Sequence, residues 1–283
     1  MGRFAPSPTG PLHMGSLIMA VASFLDARSR LGRWFVRIDD IDPPRAQPGA
    51  VGEITDSLLT HGLIGDQKVQ FQSRHDRRYQ SAFDTLYPAI FYCTCTRAEL
   101  RGVPIYPGTC RDQRKPLPGA AIRVDVSQWT HLEIEDGYLG PQQFVPGEDF
   151  GDFIIKRKDG LWAYNFATAV DDGYDVTDVI RGQDLTAVTG MQAGLIRALN
   201  LRVPRYSHLP LLRFPDGQKL SKQAHAPAID DKTAEENIRF ALKALGLPEV
   251  DQATPAALLE AAMHDWRLDA VPPELEAFPR IEC

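Results

Sequence analysis

The chain has 283 residues, 43% hydrophobic and 24% charged, with a formal net charge of −6. That length and mixture support a sizeable core and exclude a disordered chain, while the acidic balance excludes generic nucleic-acid affinity, so any contact with RNA must be a local basic patch. No apolar run reaches the roughly 20 residues that cross a bilayer, and Met1 to Pro11 lacks the apolar stretch of a secretory signal. A soluble cytoplasmic protein, monomeric by default, is expected.

The chain opens as strand, turn and helix. Gly2 to Ala5 reads as a strand and Pro-Ser-Pro-Thr-Gly-Pro as a turn. Leu17, Val21, Phe24, Leu25 and Arg28 then follow helical spacing between His13 and Leu31, with Gly32 as the left-handed stop. A strand at Trp34 to Ile38 completes a β-α-β unit, so a parallel α/β sheet is expected. Helices follow at Val51 to Leu63 and at Arg77 to Tyr87, before Pro88. From Phe91 to Phe153 short strands and turns rich in Pro and Gly take over, which reads as an insertion between two halves of the core. The core is expected to resume with apolar runs at Phe153 to Ile155 and Val176 to Ile180, followed by a helix over Leu185 to Leu199 that carries Gly190 and Gly194. Further on, Thr233-Ala-Glu-Glu236 reads as a capping box, and Thr254-Pro255 as a cap before a proline at the first helical position.

Three patterns carry chemistry. His13-Met14-Gly15 opens the first helix straight after a strand and turn, where unsatisfied N–H groups favour phosphate and a glycine lets a ligand approach the backbone. Asp216 to Gln223 is a turn followed by Lys219-Leu-Ser-Lys222, and a loop of this kind can bring ammonium groups onto a polyphosphate as charge builds on its leaving oxygens. Either pattern in isolation reads equally as a cap or a solvated loop. Four cysteines are too few for a disulfide framework, but Cys93, Cys95 and Cys110 lie in one segment and suggest zinc, with inert buried thiols as the alternative; Cys283 reads as an incidental thiol. Arg28, Arg30, Arg33 and Arg37, and the run Arg97, Arg101, Arg111, Arg114 and Lys115, are either RNA-contact patches or solvated faces.

Arg3-Phe-Ala-Pro-Ser-Pro-Thr-Gly-Pro-Leu-His-Met-Gly-Ser16, Val36-Arg-Ile-Asp-Asp-Ile-Asp42 and Lys219-Leu-Ser-Lys222 together resemble the catalytic motifs of class I glutamyl-tRNA synthetases, in order and spacing over most of the chain. The resemblance implies a Rossmann-like parallel sheet with residues 1–90 and 154–223 as catalytic core, 91–153 as a zinc-containing, acceptor-type insertion, and 224–283 as a helical tail without an anticodon-binding domain. It implies His13, Gly15, Lys219 and Lys222 as catalytic residues, with His13, Gly15, Ser16 and Lys222 meeting ATP and its Mg2+. Arg3, Phe4, Ala5, Pro6, Ser7, Asp39, Tyr164 and Arg181 would form the glutamate pocket. Whether Arg3 or Arg181 takes the side-chain carboxylate stays open. The family usually has Glu where this chain has Asp39, one methylene shorter. A structural zinc needs a fourth ligand, and relatives with this insertion imply Tyr106 beside Cys93, Cys95 and Cys110. Only 61 residues follow Lys222, too few for a further domain of about 100 residues. The resemblance is therefore to a shortened branch of the family, the glutamyl-queuosine tRNA(Asp) synthetases, which implies L-glutamate and queuosine-containing tRNA(Asp) as partners. A minimal glutamyl-tRNA synthetase charging a terminal ribose, or a non-catalytic zinc-stabilised RNA-binding module, are the alternatives.

Overall fold

The computed structural model of the protein describes residues 1–214 and 227–275. Lys219, Lys222 and Cys283 lie outside the described residues.

A five-stranded parallel sheet organises the molecule. It is built from β1 (Gly2–Phe4), β2 (Trp34–Ile38), β3 (Gln70–Phe71), β9 (Asp178–Gly182) and β10 (Arg205–Leu209), in the order β10-β9-β1-β2-β3. Between them come α1 (Met14–Ser29), α2 (Ala50–Thr60), α3 (Asp76–Leu86), α4 (Tyr164–Asp175) and α5 (Thr186–Ala198). Because neighbouring residues of a strand face opposite ways, each strand serves two cores. Trp34, Val36 and Ile38 join Phe4, Ile180 and Leu209 against α1 and α2. Phe35, Val179 and Tyr206 join α3, α4 and α5 on the other face. Among the described residues no helix is long and apolar enough to cross a membrane.

The insertion holds β4 (Ile90–Cys93), β5 (Ala121–Val124) and β8 (Phe153–Lys156) in one antiparallel sheet, and β6 (Leu132–Asp136) with β7 (Gly140–Phe144) as a hairpin. Phe153 to Ile155 therefore belongs to the insertion's sheet and not to the parallel one. An apolar run shows that a strand is buried but not which partner it pairs with. The two helix-interior glycines of α5 are contact points: a Cβ on Gly190 would stand 2.8 Å from Phe144, and one on Gly194 would stand 2.2 Å from Trp129. The insertion thus packs its aromatic side chains directly onto the α5 backbone.

Two local expectations are corrected and a third is borne out. Helix α1 ends in a Schellman-type turn in which Leu31, at φ 56°, takes the left-handed position. Gly32 follows it and donates its N–H to the Ala27 carbonyl at 2.8 Å, where a Cβ would meet that oxygen at 2.9 Å. The Thr233 side chain donates back to the Asp230 carbonyl, so no capping box forms. Thr254 does cap its helix, accepting from the Ala257 N–H at 3.3 Å. The helices that these residues open, α6 (Ala234–Ala244) and α7 (Pro255–Asp265), pack on α1. Ile238, Leu242, Leu258 and Leu259 are buried in the same core as Leu17, Val21 and Leu25 of α1.

Candidate functional site

The strand order reverses at β1, with β2 and β3 to one side and β9 and β10 to the other. In open α/β sheets the crevice beyond the carboxyl ends of strands at such a point is where ligands bind. A cavity of about 280 Å³ opens there. Arg3 to Ser7, then His13, Gly15 and Ser16, and finally Asp39, Tyr164 and Arg181 all line it. Every residue expected at the amino-acid and nucleotide positions that falls within the described residues therefore meets at one site.

One end of the cavity is the start of α1. The Ser16 N–H donates to His13 Nδ1 at 3.2 Å, so that nitrogen is the acceptor and Nε2 carries the proton toward Ser16 Oγ at 3.1 Å. Leu12 accepts from the Ile229 N–H at 3.0 Å, and His13 forms an isolated bridge with Ala228. Ala228 and Ile229 thus lie beside Leu12 and His13.

The other end is a buried array of charge. Arg3, Arg37, Arg181 and His208 all project from the sheet face that α4 and α5 cover, taking alternate positions with the apolar residues of their own strands. Arg3 donates to Asp172 Oδ1 at 3.3 Å and Oδ2 at 2.9 Å. Arg37 donates to Asp172 Oδ1 at 2.7 Å and to Asp39 Oδ1 at 2.7 Å. Burial acts to raise Asp172, but Arg3 and Arg37 outweigh it and hold the carboxyl at about 2. At Asp39 the balance is reversed: burial outweighs Arg37 and Arg3 and lifts the carboxyl to about 6. Asp171, next along α4, accepts from Gln72, Tyr79, His75 and Arg78, which ties α4 to α3 and to the end of β3.

Arg181 differs from the other two arginines. It is 5% exposed and lines the cavity. It donates to His208 Nε2 at 3.0 Å, to Gln192 Oε1 at 2.6 Å and to Thr189 Oγ1 at 2.7 Å. Among the described residues no carboxylate pairs with it.

Sequence reasoning missed Arg37, Asp171, Asp172, His208, Thr189 and Gln192. Two of them carried a weak signal: in Val-Arg-Ile and in Ser-His-Leu one polar residue, Arg37 or His208, falls at a buried strand position. The proposed basic patch loses a member, since Arg37 is fully buried, while Arg28 pairs with Asp66 and Arg30 with Asp26 and Asp178.

In the insertion the Cys95 and Cys110 sulfurs lie 3.6 Å apart, and the Tyr106 oxygen lies 3.5 Å from Cys93 Sγ and 3.8 Å from Cys95 Sγ. A tetrahedral zinc with bonds of about 2.3 Å to sulfur has edges of about 3.8 Å between ligand atoms. These three separations are of that size, and the Cys93, Cys95 and Cys110 cluster can hold a metal ion. Burial opposes ionisation of Cys93, but hydrogen bonding to Tyr106 and Arg123 prevails and lowers it to about 7.

The family model describing the catalytic domain of class I tRNA synthetases (E and Q) matches residues 1–103 and 109–245. Among curated proteins, a glutamyl-Q tRNA(Asp) synthetase of Thiobacillus denitrificans is 44% identical over 289 residues, covering 96% of this chain and 95% of that one. The protein of the same name from Bordetella bronchiseptica is 45% identical, covering 94% and 88%. Among solved structures, a glutamate tRNA ligase of Elizabethkingia meningosepticum in complex with its amino acid superposes with a TM-score of 0.79 at 22% identity, over 98% of this chain and 66% of that one. That likeness establishes the shared fold.

Proposed function

The chain belongs to the class I tRNA synthetases of the E and Q type, among the glutamyl-Q tRNA(Asp) synthetases, and is thus a ligase; from this we propose that it activates L-glutamate with ATP and transfers it to queuosine at the wobble position of tRNA(Asp). The observation that carries the glutamate reading is the buried Arg181 guanidinium, which lines the cavity without a carboxylate partner among the described residues. An unpaired buried cation is costly, so the site is complementary to an incoming anion. Arg3 is engaged by Asp172, which favours Arg181 as the receptor of the glutamate side-chain carboxylate. Asp39, with Tyr164 beside it, would receive the substrate ammonium.

In the first step the glutamate α-carboxylate attacks the α-phosphorus of ATP, and pyrophosphate leaves with the electron pair of the broken P–O bond. The N-terminus of α1, with His13, Gly15 and Ser16, is suited to the phosphates, and Lys219 and Lys222 to the charge that grows on the departing pyrophosphate. Mg2+ arriving with ATP would supply further neutralisation. In the second step a hydroxyl of the queuosine ring attacks the activated carbonyl carbon, forming an ester and releasing AMP. The test is transfer of radiolabelled glutamate to tRNA(Asp), followed by nuclease mapping. Label at the wobble nucleoside, absent from tRNA lacking queuosine, supports this reading; label on the terminal adenosine replaces it with ordinary charging.

Two further outcomes are expected. The substrate ammonium needs Asp39 ionised, and Asp39 titrates at about 6. With pyrophosphate exchange measured at subsaturating glutamate, kcat/KM should hold above that pH and fall by about tenfold per unit below it. Asp39→Asn should be weak at every pH and lose the inflection; an inflection retained in that variant would remove Asp39 from the role. For the insertion, the ligand set Cys93, Cys95, Tyr106 and Cys110 should hold one structural zinc. Metal analysis of purified Cys95→Ser should show the zinc content falling severalfold, with the insertion becoming more sensitive to protease. A wild-type protein purified under reducing conditions without metal would count against zinc.

A further inference from the structure

Behind Arg181 lies a second layer of contacts. A guanidinium N–H only donates, so the His208 Nε2 that faces Arg181 Nε at 3.0 Å must present its lone pair. The ring proton is then on Nδ1, 2.6 Å from Asp136 Oδ2. The other oxygen of Asp136 accepts from the backbone N–H groups of Tyr138 at 3.0 Å, Leu139 at 2.9 Å and His208 at 3.2 Å. Asp136 and His208 are 3% and 1% exposed, and the Thr189 hydroxyl, 2.9 Å from the same Nε2, can donate to the lone pair that Arg181 Nε also meets. Asp136 ends β6, so it belongs to the insertion, whereas His208 belongs to β10 of the parallel sheet.

We propose that Asp136 and His208 are positioning residues for amino-acid selection, Asp136 fixing the His208 tautomer and His208 holding Arg181 Nε so that the guanidinium meets a carboxylate side chain in one orientation. A second consequence is electrostatic. Gln192, Thr189 and His208 all reach Arg181 through neutral atoms, and the Asp136 charge stands one imidazole further back. Arg181 is oriented without being neutralised, which leaves its charge for the substrate. A carboxylate placed directly on Arg181 would orient it equally well and cancel its selectivity. The inference rests on the reading that Arg181 receives the glutamate side chain.

The Asp136→Asn change is informative because it is nearly isosteric. The amide oxygen can keep the backbone bonds, while the amide nitrogen would donate to His208 Nδ1, move the ring proton to Nε2 and set it against Arg181 Nε–H. Pyrophosphate exchange by the full chain should then show the glutamate KM raised about 10- to 100-fold, the scale of one lost hydrogen bond to a charged group. The ATP KM should stay within about twofold, and discrimination against glutamine should fall in parallel. His208→Phe should behave similarly, and the double variant should be no worse than the more impaired single one, because both break the same contact.

Arg181→Gln separates the two ideas. A glutamate KM raised in that variant but unchanged in Asp136→Asn overturns the relay and leaves the pocket assignment standing, whereas no change in Arg181→Gln overturns the assignment beneath it. Nitrogen-15 NMR of histidine-labelled wild-type protein, with His208 identified by its missing signal in His208→Phe, reads the tautomer without depending on the activity of any variant. Protonation at Nδ1 alone supports the relay; an Nε2–H tautomer or an imidazolium at neutral pH overturns it.

Discussion

Arg181→Gln is expected to lower kcat/KM for glutamate by roughly 30-fold to several thousand-fold while leaving the ATP KM little changed. Truncating one partner of a desolvated charge pair costs about 2–5 kcal/mol, and each 1.4 kcal/mol is about tenfold. The upper part of that range is favoured here because Arg181 is buried and its remaining bonds go to neutral groups. Glutamine at this position keeps a donor, so some ordering of the substrate survives but the charge does not. The change should also narrow the preference for glutamate over glutamine, because the wild-type cation penalises a neutral amide. Pyrophosphate exchange with each amino acid in turn measures both effects. A variant that keeps its preference for glutamate would move the specificity determinant elsewhere.

Asp172→Ala should act on stability before it acts on chemistry. Its carboxylate joins Arg3 to Arg37, and each of these three side chains is no more than 5% exposed. Arg37 would keep Asp39, but Arg3 would be left without its bidentate partner. Stranding a charge in this way costs about 3–5 kcal/mol, which for a chain of this size lowers Tm by roughly 10 °C. The pH dependence follows from the depressed carboxyl. Asp172 has its ordinary value near 3.8 when unfolded and about 2 when folded. Its contribution is therefore complete above the unfolded value and is lost as pH falls through the folded one. Thermal unfolding of wild type and variant across that window should converge at the acid end. A Tm within a degree or two of wild type at neutral pH would show that Arg3 is stabilised by other groups.

Both sites belong to a part of the molecule that was only half legible in the sequence. Helices with regular apolar spacing, such as α1, α2 and α5, declared themselves. Helix α4 did not, because Asp171 and Asp172 interrupt its apolar face and read as solvated charges, although both are buried. Strand β10 and the two-residue β3 escaped for a related reason: Arg-Tyr-Ser-His-Leu and Gln-Phe are too polar or too short to register as buried strands. The cavity-lining residues on the N-terminal turn were recognisable as a local motif. The groups that hold them were not, since Arg3 meets Asp172 across 169 positions and His208 meets Asp136 across 72. Spacing shows which face a residue takes, but not which distant carboxylate will oppose an inward arginine.

The packing of α6 and α7 on α1 bears on how the protein is made. Helix α1, which starts beside His13 at the cavity, leaves the ribosome early, yet part of the core around Leu17, Val21 and Leu25 comes from Ile238, Leu242, Leu258 and Leu259. At a synthesis rate of about 5–20 residues per second, those partners follow some tens of seconds later. Throughout that interval α1 has β1 and β2 beside it but lacks the cover of α6 and α7, so completion of this core waits for late synthesis and invites chaperone capture of the nascent chain. Ribosome-bound chains arrested before Ala234 should accordingly be sensitive to protease within α1, and chains released after Asp265 should be protected.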